Sequence, residues 1–335
     1  MKIGNHIFSI LSSALLLTLW LPATTALASS DFWCKVDSSM SIRYHRPQID
    51  TAYLSRPATK WTFKVKTNTT GAGIKATGES NGTKMETNLN AAAKQTYAVG
   101  VAYLGLGASL SINPANLQGK YNDWEFNLSL YQRQGIETDF MFQSAKTFSG
   151  TVKREGKEQR VDAGLVTQQM GDINAYYVFN HKRFSYPAAT SQSYLQKKSC
   201  GSLIAGIAYF GAIIKTDADS ALTESNVDIR ISHWGIGAGY GYNLVAWHNW
   251  LFHLSTMPSV IAYSHNRLTI SGKRQTFANR FPDVIIMGKG AIVYNRDRYF
   301  MSSNMIFNFS DTEAGKNLKI ENTKWKICVV MGIRL

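Results

Sequence analysis

Three groups of side chains have the types and spacing to do chemistry. The stretch "FHLS" sets His253 and Ser255 two positions apart. In an extended strand that spacing puts an imidazole and a hydroxyl on one face, close enough for a base to activate a nucleophile. Asn266 lies beyond, where a group that orients the imidazole belongs. A His-x-Ser pair arises easily by chance, however, and "HLS" lacks the flanking residues of a hydrolase signature. The pair therefore predicts two inward polar side chains and no enzyme, with a lipase-type outer-membrane hydrolase as the alternative.

The second group is basic and the third acidic. Lys64 and Lys66 share one face of a strand near the start of the chain, and Lys324 and Lys326 share one face of the last strand. If the two strands are neighbours, four ammonium groups stand in one wall and attract anions. Glu125, Glu137 and Asp139 occupy the matching parity of two further strands. Facing the lysines across a narrow lumen, they predict bracing ion pairs in preference to an open anion path. No cofactor or metal is expected, because Cys34, Cys200 and Cys328 are odd in number and lie in no ligand cluster.

The elements that must position these groups are strands. The last twelve residues, "KWKICVVMGIRL", alternate: Trp325, Ile327, Val329, Met331, Ile333 and Leu335 form one apolar row, and the row between them is polar, small or mixed. "HWGIGAGYGYNL" repeats the pattern, with Trp234, Ile236, Ala238, Tyr240, Tyr242 and Leu244 opposite a row that holds four glycines. "DWEFNLSLYQR", "KWTFKVKTN", "IETDFMFQ" and "RYFMSSNMIFNFS" follow suit. Together with less regular segments they predict about twelve strands, most near the length a tilted strand needs to cross a bilayer. Trp61, Trp124, Trp234, Trp250 and Trp325 fall near strand ends, where amphipathic rings favour the headgroup level.

The connections alternate as well. Those at 70–82, 113–122, 144–172, 216–230, 264–281 and 311–319 read as long and extracellular. Those near Lys94 and at 133–135, 248–249 and 295–297 read as short periplasmic turns, and 185–198 is too long for that rule. An even strand number returns the carboxyl end beside the first strand and closes the sheet. The four glycines from Gly235 to Gly241 make room for bulky neighbours such as Phe300, for a loop folded inward or for a solute, the first being the commonest case in barrels.

The amino terminus bears on the compartment. Lys2, the apolar run "IFSILSSALLLTLWLP" and the small residues of "ALA" at 26–28 predict a cleaved signal peptide over residues 1–28. A periplasmic segment over 29–58 and a barrel over 59–335 would follow. The formal charge of +14 contains one Lys and no acid within residues 1–28. Export sets aside nucleic acid as the partner of that charge and leaves anionic lipid headgroups or an anion pathway. Arg267, Lys273, Arg274 and Arg280 gather in one long connection, and His181, Lys182, Arg183, Lys197 and Lys198 around the long periplasmic one.

"YNDWEFNLSLYQRQGIETDFMFQ", "YYVFNHKRFSYPAATSQSYLQKKSCGS" and "DTAYLSRPATKWTFKVKTN" resemble an uncharacterised group of Bacteroidetes outer-membrane barrels catalogued as domain of unknown function 4421. The resemblance runs from about residue 50 to the end and implies fold and location but no activity. Two residues depart from expectation: Cys200 stands where a small residue such as Ala fits, and Leu335 ends the chain where barrels usually finish on an aromatic. The reading is an all-β, antiparallel transmembrane barrel of the outer membrane of a Gram-negative cell, structural or conducting small solutes and anions. Its expected partners are outer-membrane lipid, lipopolysaccharide included, and the barrel-assembly machinery. A soluble secreted β-barrel binding protein is the remaining alternative.

Overall fold

In a computed structural model the described residues are 34, 35, 38, 41 and 49–335, without 81–82, 105, 115–123, 132–134, 155, 217–226, 271, 278–282 and 315–317. The expected signal peptide, 1–28, and Arg280 lie outside them. Two units divide the chain, at residues 1–47 and 48–335, and the second contains all the strands that follow.

The first half comprises β1 (Leu54–Ser55), β2 (Trp61–Ser80), β3 (Thr83–Ala91), β4 (Lys94–Tyr103), β5 (Leu106–Ile112), β6 (Trp124–Tyr131), β7 (Ile136–Ala145), β8 (Phe148–Arg154), β9 (Lys157–Val161) and β10 (Val166–Val178). A short helix, α1 (Tyr186–Thr190), and β11 (Leu195–Gln196) come next. The second half comprises β12 (Cys200–Thr216), β13 (Val227–Ala246), β14 (Trp250–Ser264), β15 (Asn266–Ile270), β16 (Lys273–Phe277), β17 (Val284–Arg296), β18 (Tyr299–Ala314) and β19 (Leu318–Arg334).

All ladders are antiparallel, and those of the half farther from the termini close into a ring. From β19 to β2 the register runs Arg334↔Thr62 through Leu318↔Gly78, and β2 then pairs with β3 along its far half and with β4 along its near half. β3 pairs with β8, which continues the line of β7; β7 pairs with β10, and the sheet returns through β12, β13, β14, β17 and β18 to β19. Trp61 and Leu335 exchange backbone hydrogen bonds of 3.0 and 2.9 Å, joining the two ends of the barrel. β5 extends the near half beside β4, and β6 extends it beside β7. Counting broken strands as single lines, the described residues give the twelve strands that the pattern predicts, ten of them forming the ring farther from the termini.

Which face is buried is where a soluble and a transmembrane barrel part company. The apolar rows point out: Ile236 is 65% and Leu254 73% exposed, whereas His233 and Met257, facing inward on the same strands, are 0% exposed. Phe126, Leu203, Val99 and Met331 are likewise exposed and belong to other strands. Aromatic side chains frame this band. Trp61, Tyr103, Trp250, Tyr294 and Tyr299 mark the proximal edge, where the termini meet, and Trp124, Tyr209, Trp234, Tyr263 and Trp325 the distal edge. Gly71 is needed there, since the Trp325 ring lies against it and leaves 2.6 Å for a Cβ. About ten residues separate the edges, which at strand rise and tilt spans roughly 25 Å, the height of a bilayer's apolar band.

Much of what reads as long loops is ladder. β2 and β3 continue to Ser80↔Thr83, β8 and β9 to Arg154↔Lys157, and β15 and β16 to Ile270↔Lys273, so these hairpins stand beyond the distal aromatic edge. Their polar alternation has no apolar outer row, which hides the strands from a search for lipid-facing faces. Inside this distal part, Ile74, Phe148, Val161, Phe210, Ile231 and Ile320 belong to one apolar cluster that fills the lumen.

An apolar exterior in contact with acyl chains sets an expected cost. Val65→Arg, at mid-band and 60% exposed, should destabilise the protein by about 2–4 kcal/mol, and Thr77→Arg, beyond the distal edge, by about 0–1 kcal/mol. Denaturant unfolding in lipid vesicles measures both.

Candidate functional site

The site is the lumen itself, and its proximal half is filled by the chain between β10 and β12. After β10 the backbone turns, with Phe184 N–H donating to Asn180 O at 2.8 Å. Ser185 caps α1 by accepting the Ala188 N–H at 3.2 Å, and Pro187 in the first turn costs no helical hydrogen bond. The helix is only one turn long, so its carbonyls need outside donors. The wall supplies them: Asn304 Nδ2 donates to Thr190 O at 3.2 Å, Lys64 Nζ to Ser191 O at 2.5 Å and an Arg334 guanidinium nitrogen to Gln192 O at 3.2 Å. Two of the three donors are cations at a helix carboxyl end, where the dipole favours positive charge.

Packing completes the plug. Tyr186, Ala188 and Ala189 are fully buried, and Gly241 on the wall leaves the room: a Cβ there would stand 2.9 Å from the Phe184 ring. Of the uses expected for the inward glycines, an inward-folded segment is therefore the one seen at Gly241, while Phe300 lies over Gly332 instead. β1 pairs with β11 outside the plug, and Arg56 donates to the Tyr194 hydroxyl. Part of the amino-terminal segment thus clasps the piece of chain that enters the lumen. The connection that breaks the short-turn rule, 185–198, does so because it is this plug.

His253 and Ser255 meet as their spacing predicts, with Nε2 and Oγ 3.0 Å apart. The orienting residue is Asn243 and not Asn266: Asn243 Oδ1 lies 2.7 Å from His253 Nδ1, whereas Asn266 Oδ1 lies 2.9 Å from His233 Nε2. Asn243 sits ten residues upstream on the adjacent strand, in direct register with His253, and only knowledge of the β13–β14 register reveals it. Its amide also donates to Ser185 O and Gln196 Oε1, both at 3.0 Å. The His253 ring packs against Tyr186 and Phe184 with centroids 5.0 and 5.9 Å away. These three residues form a hydrogen-bonded chain whose far end holds the plug.

Above the plug, the acidic and basic rows come together as ion pairs. Lys326 Nζ lies 3.2 Å from Glu125 and ties β19 to β6. Asp139 pairs with a lysine the sequence reading did not single out: Lys289 Nζ, on β17, is 2.6 Å from Asp139 Oδ2 and donates to the Tyr176 hydroxyl at 2.6 Å. Tyr176 in turn lies 3.0 Å from Asp139 Oδ2 and 3.3 Å from Glu137 Oε2. β7 and β17 stand five strands apart round the sheet, so this pair spans the lumen. Lys289 sits in "IIMGKGAIV", where a single lysine among apolar and glycine residues is visible, but its partner across the barrel is not.

The four predicted lysines separate into different roles. Lys64 binds the plug and Lys326 a carboxylate, while Lys66 is half-buried and makes no hydrogen bond or ion pair among the described residues. Lys324 is 3% exposed beside a gap of about 10 Å³, room for one water, that Asp172, Asn308, Ser310 and Asn322 also line. Buried pairs are costly to break, because the charge left behind has no solvent. Lys289→Met should therefore cost about 3–5 kcal/mol in vesicle unfolding, and adding Asp139→Asn should return most of it.

The family described as a domain of unknown function, DUF4421, matches residues 48–334. No curated protein matches the chain. The chain is similar to the outer membrane protease OmpT of Escherichia coli, with 8% identity, 84% of this chain and 98% of that one covered, and a TM-score of 0.45. It is similar to the outer membrane protein OprG of Pseudomonas aeruginosa at 9% identity, 84% and 98% coverage and a TM-score of 0.29. For the toluene transporter TodX of P. putida the figures are 7%, 82% and 90%, and 0.25.

Proposed function

The chain belongs to the DUF4421 family, a domain of unknown function, and for this barrel we propose a structural role in the outer membrane with a lumen that is braced shut. Trp234 and Phe126, 46% and 50% exposed, support the placement in lipid, since a water-soluble barrel would cover them. The observation that carries the closed reading is the Lys289–Asp139 pair, which crosses the lumen between the plug and the distal apolar cluster. Any conducting path would have to break that pair, displace α1 and part the distal apolar side chains. The protein reaches its membrane through a cleaved signal over residues 1–28 and the assembly machinery for barrels, in a Gram-negative cell. Its partners are lipids and not nucleic acid.

A second reading, anion conduction, is favoured by Lys66, the half-buried cation without a partner among the described residues. The third, hydrolysis, has the assembled Asn243, His253 and Ser255 chain in its favour. Against it, Ser255 is 4% exposed beneath the plug and paired in both neighbouring ladders, leaving no free backbone N–H beside it to hold an oxyanion. We therefore assign the protein no catalytic activity.

Conductance in planar bilayers separates the first two readings. The closed barrel is silent; discrete anion-selective steps that weaken in Lys64→Glu and Lys326→Glu would replace it with the pore. For the third, lipid hydrolysis in purified outer membranes is expected to be the same with Ser255→Ala as with the parent chain, and a loss confined to that variant would make the serine a nucleophile.

A further inference from the structure

We propose that the outward face of β12, β13, β15 and β16, just beyond the distal aromatic edge, docks the phosphate of a lipid headgroup in the surrounding leaflet. Tyr209, Trp234 and Tyr263 are register neighbours on β12, β13 and β14 and mark the edge of the apolar band. Four residues beyond Trp234 on the same strand stands Arg230, and its register partner on β15 is Arg267. Lys215 on β12 pairs with Asp228, and Arg274 on β16 with Thr269, so both lie on the same face. That face is outward, because the alternate positions Ile214 and Ile231 are buried in the lumen.

Two like charges directly opposite each other on neighbouring strands repel. Among the described residues one carboxylate on this patch answers the four cations: both oxygens of Asp228 accept from Arg230, at 3.2 and 3.3 Å. Lys215, Arg267 and Arg274 make no hydrogen bond or ion pair among the described residues, and Lys215 and Arg274 are exposed. Guanidinium forks match phosphate oxygens two at a time, so one phosphate between Arg230 and Arg267 converts repulsion into paired hydrogen bonds. The apolar band immediately below favours a phosphate carried by a lipid. Acyl chains packed on Ile236 and Val260 hold a headgroup at the height of the arginines, where its local concentration far exceeds that of a free anion. A conducting or binding role for the lumen is not needed for this surface, but it rests on the placement of the barrel in a bilayer.

The test folds the full chain into phosphatidylcholine vesicles doped with diphosphoryl lipid A or with its dephosphorylated form, checks flotation with the vesicles, and reads co-extracted lipid by native mass spectrometry. The parent protein should retain the phosphorylated lipid at least about tenfold over the dephosphorylated one. The double variant Arg230→Gln, Arg267→Gln should float equally well and lose that preference, while Arg267→Lys, which keeps the charge, should keep part of it. Excess inorganic phosphate should not displace the lipid. Equal retention of the two lipids, a preference that survives the double variant, or displacement by inorganic phosphate overturns the proposal. Failure of the parent protein to float removes the bilayer placement, and this surface with it.

Discussion

A backbone amide in hydrocarbon has no water to bond, so a sheet that crosses a bilayer must pair every strand with another. Here the register between β19 and β2, which runs without interruption from Arg334↔Thr62 to Leu318↔Gly78, supplies the seam that joins the two ends of the sheet. The same register decides the interior. By setting the two strands side by side it stacks Lys64, Lys66, Lys324, Lys326 and Arg334 on one inner wall, and the rest of the lumen answers that charge with carboxylates and helix carbonyls.

The answer is distributed in layers along the barrel. Nearest the termini, carbonyls at the end of α1 accept from Lys64 and Arg334. At mid-height, Glu125 and Asp139 meet Lys326 and Lys289. Distally, apolar side chains around Phe210 and Ile320 pack most of the space, with Lys324 and Asp172 buried beside them. A narrow barrel gains little from an empty interior, because side chains long enough to reach across are also long enough to bond. The plug is thus a consequence of the basic wall as much as a separate device: without its carbonyls, Lys64 would lose the acceptor at Ser191 and Arg334 would keep Asn295 but lose Gln192.

The fold was legible in the sequence because lipid imposes a signal of period two on every crossing strand, and no internal packing partner blurs it. Rows such as Trp234 to Leu244 announce their outer face, and the inward parity of Lys64, Glu125 and Glu137 follows. Strand ends were not legible where the ladder leaves the membrane. Between Ala72 and Ser80, or Phe148 and Val161, the outer face is polar and the inner face holds the apolar residues, so the pattern inverts and reads as loop. The site was half legible. Types and faces of the charged residues can be read off, but pairing across a lumen depends on which strands stand opposite, and Lys289 with Asp139, 150 residues apart, leaves no trace in local spacing.

The Asn243, His253 and Ser255 chain shows how the same geometry is read differently once its surroundings are known. A base between a hydroxyl and an amide oxygen is the arrangement that activates a nucleophile, and the distances of 3.0 and 2.7 Å are those of such a relay. What catalysis further demands is room for a substrate and donors aimed at the developing oxyanion. Ser255 has neither, since Tyr186 and Phe184 occupy the space beside the imidazole and the strand's amides are spent on ladders to β13 and β17. The amide of Asn243 faces the other way, toward Ser185 and Gln196. A buried histidine that is fully hydrogen-bonded fixes the rotamer of its neighbour, and a fixed Asn243 presents two donors to the plug at once. The relay's product is position: it holds the incoming chain where the cations of the opposite wall can reach its carbonyls.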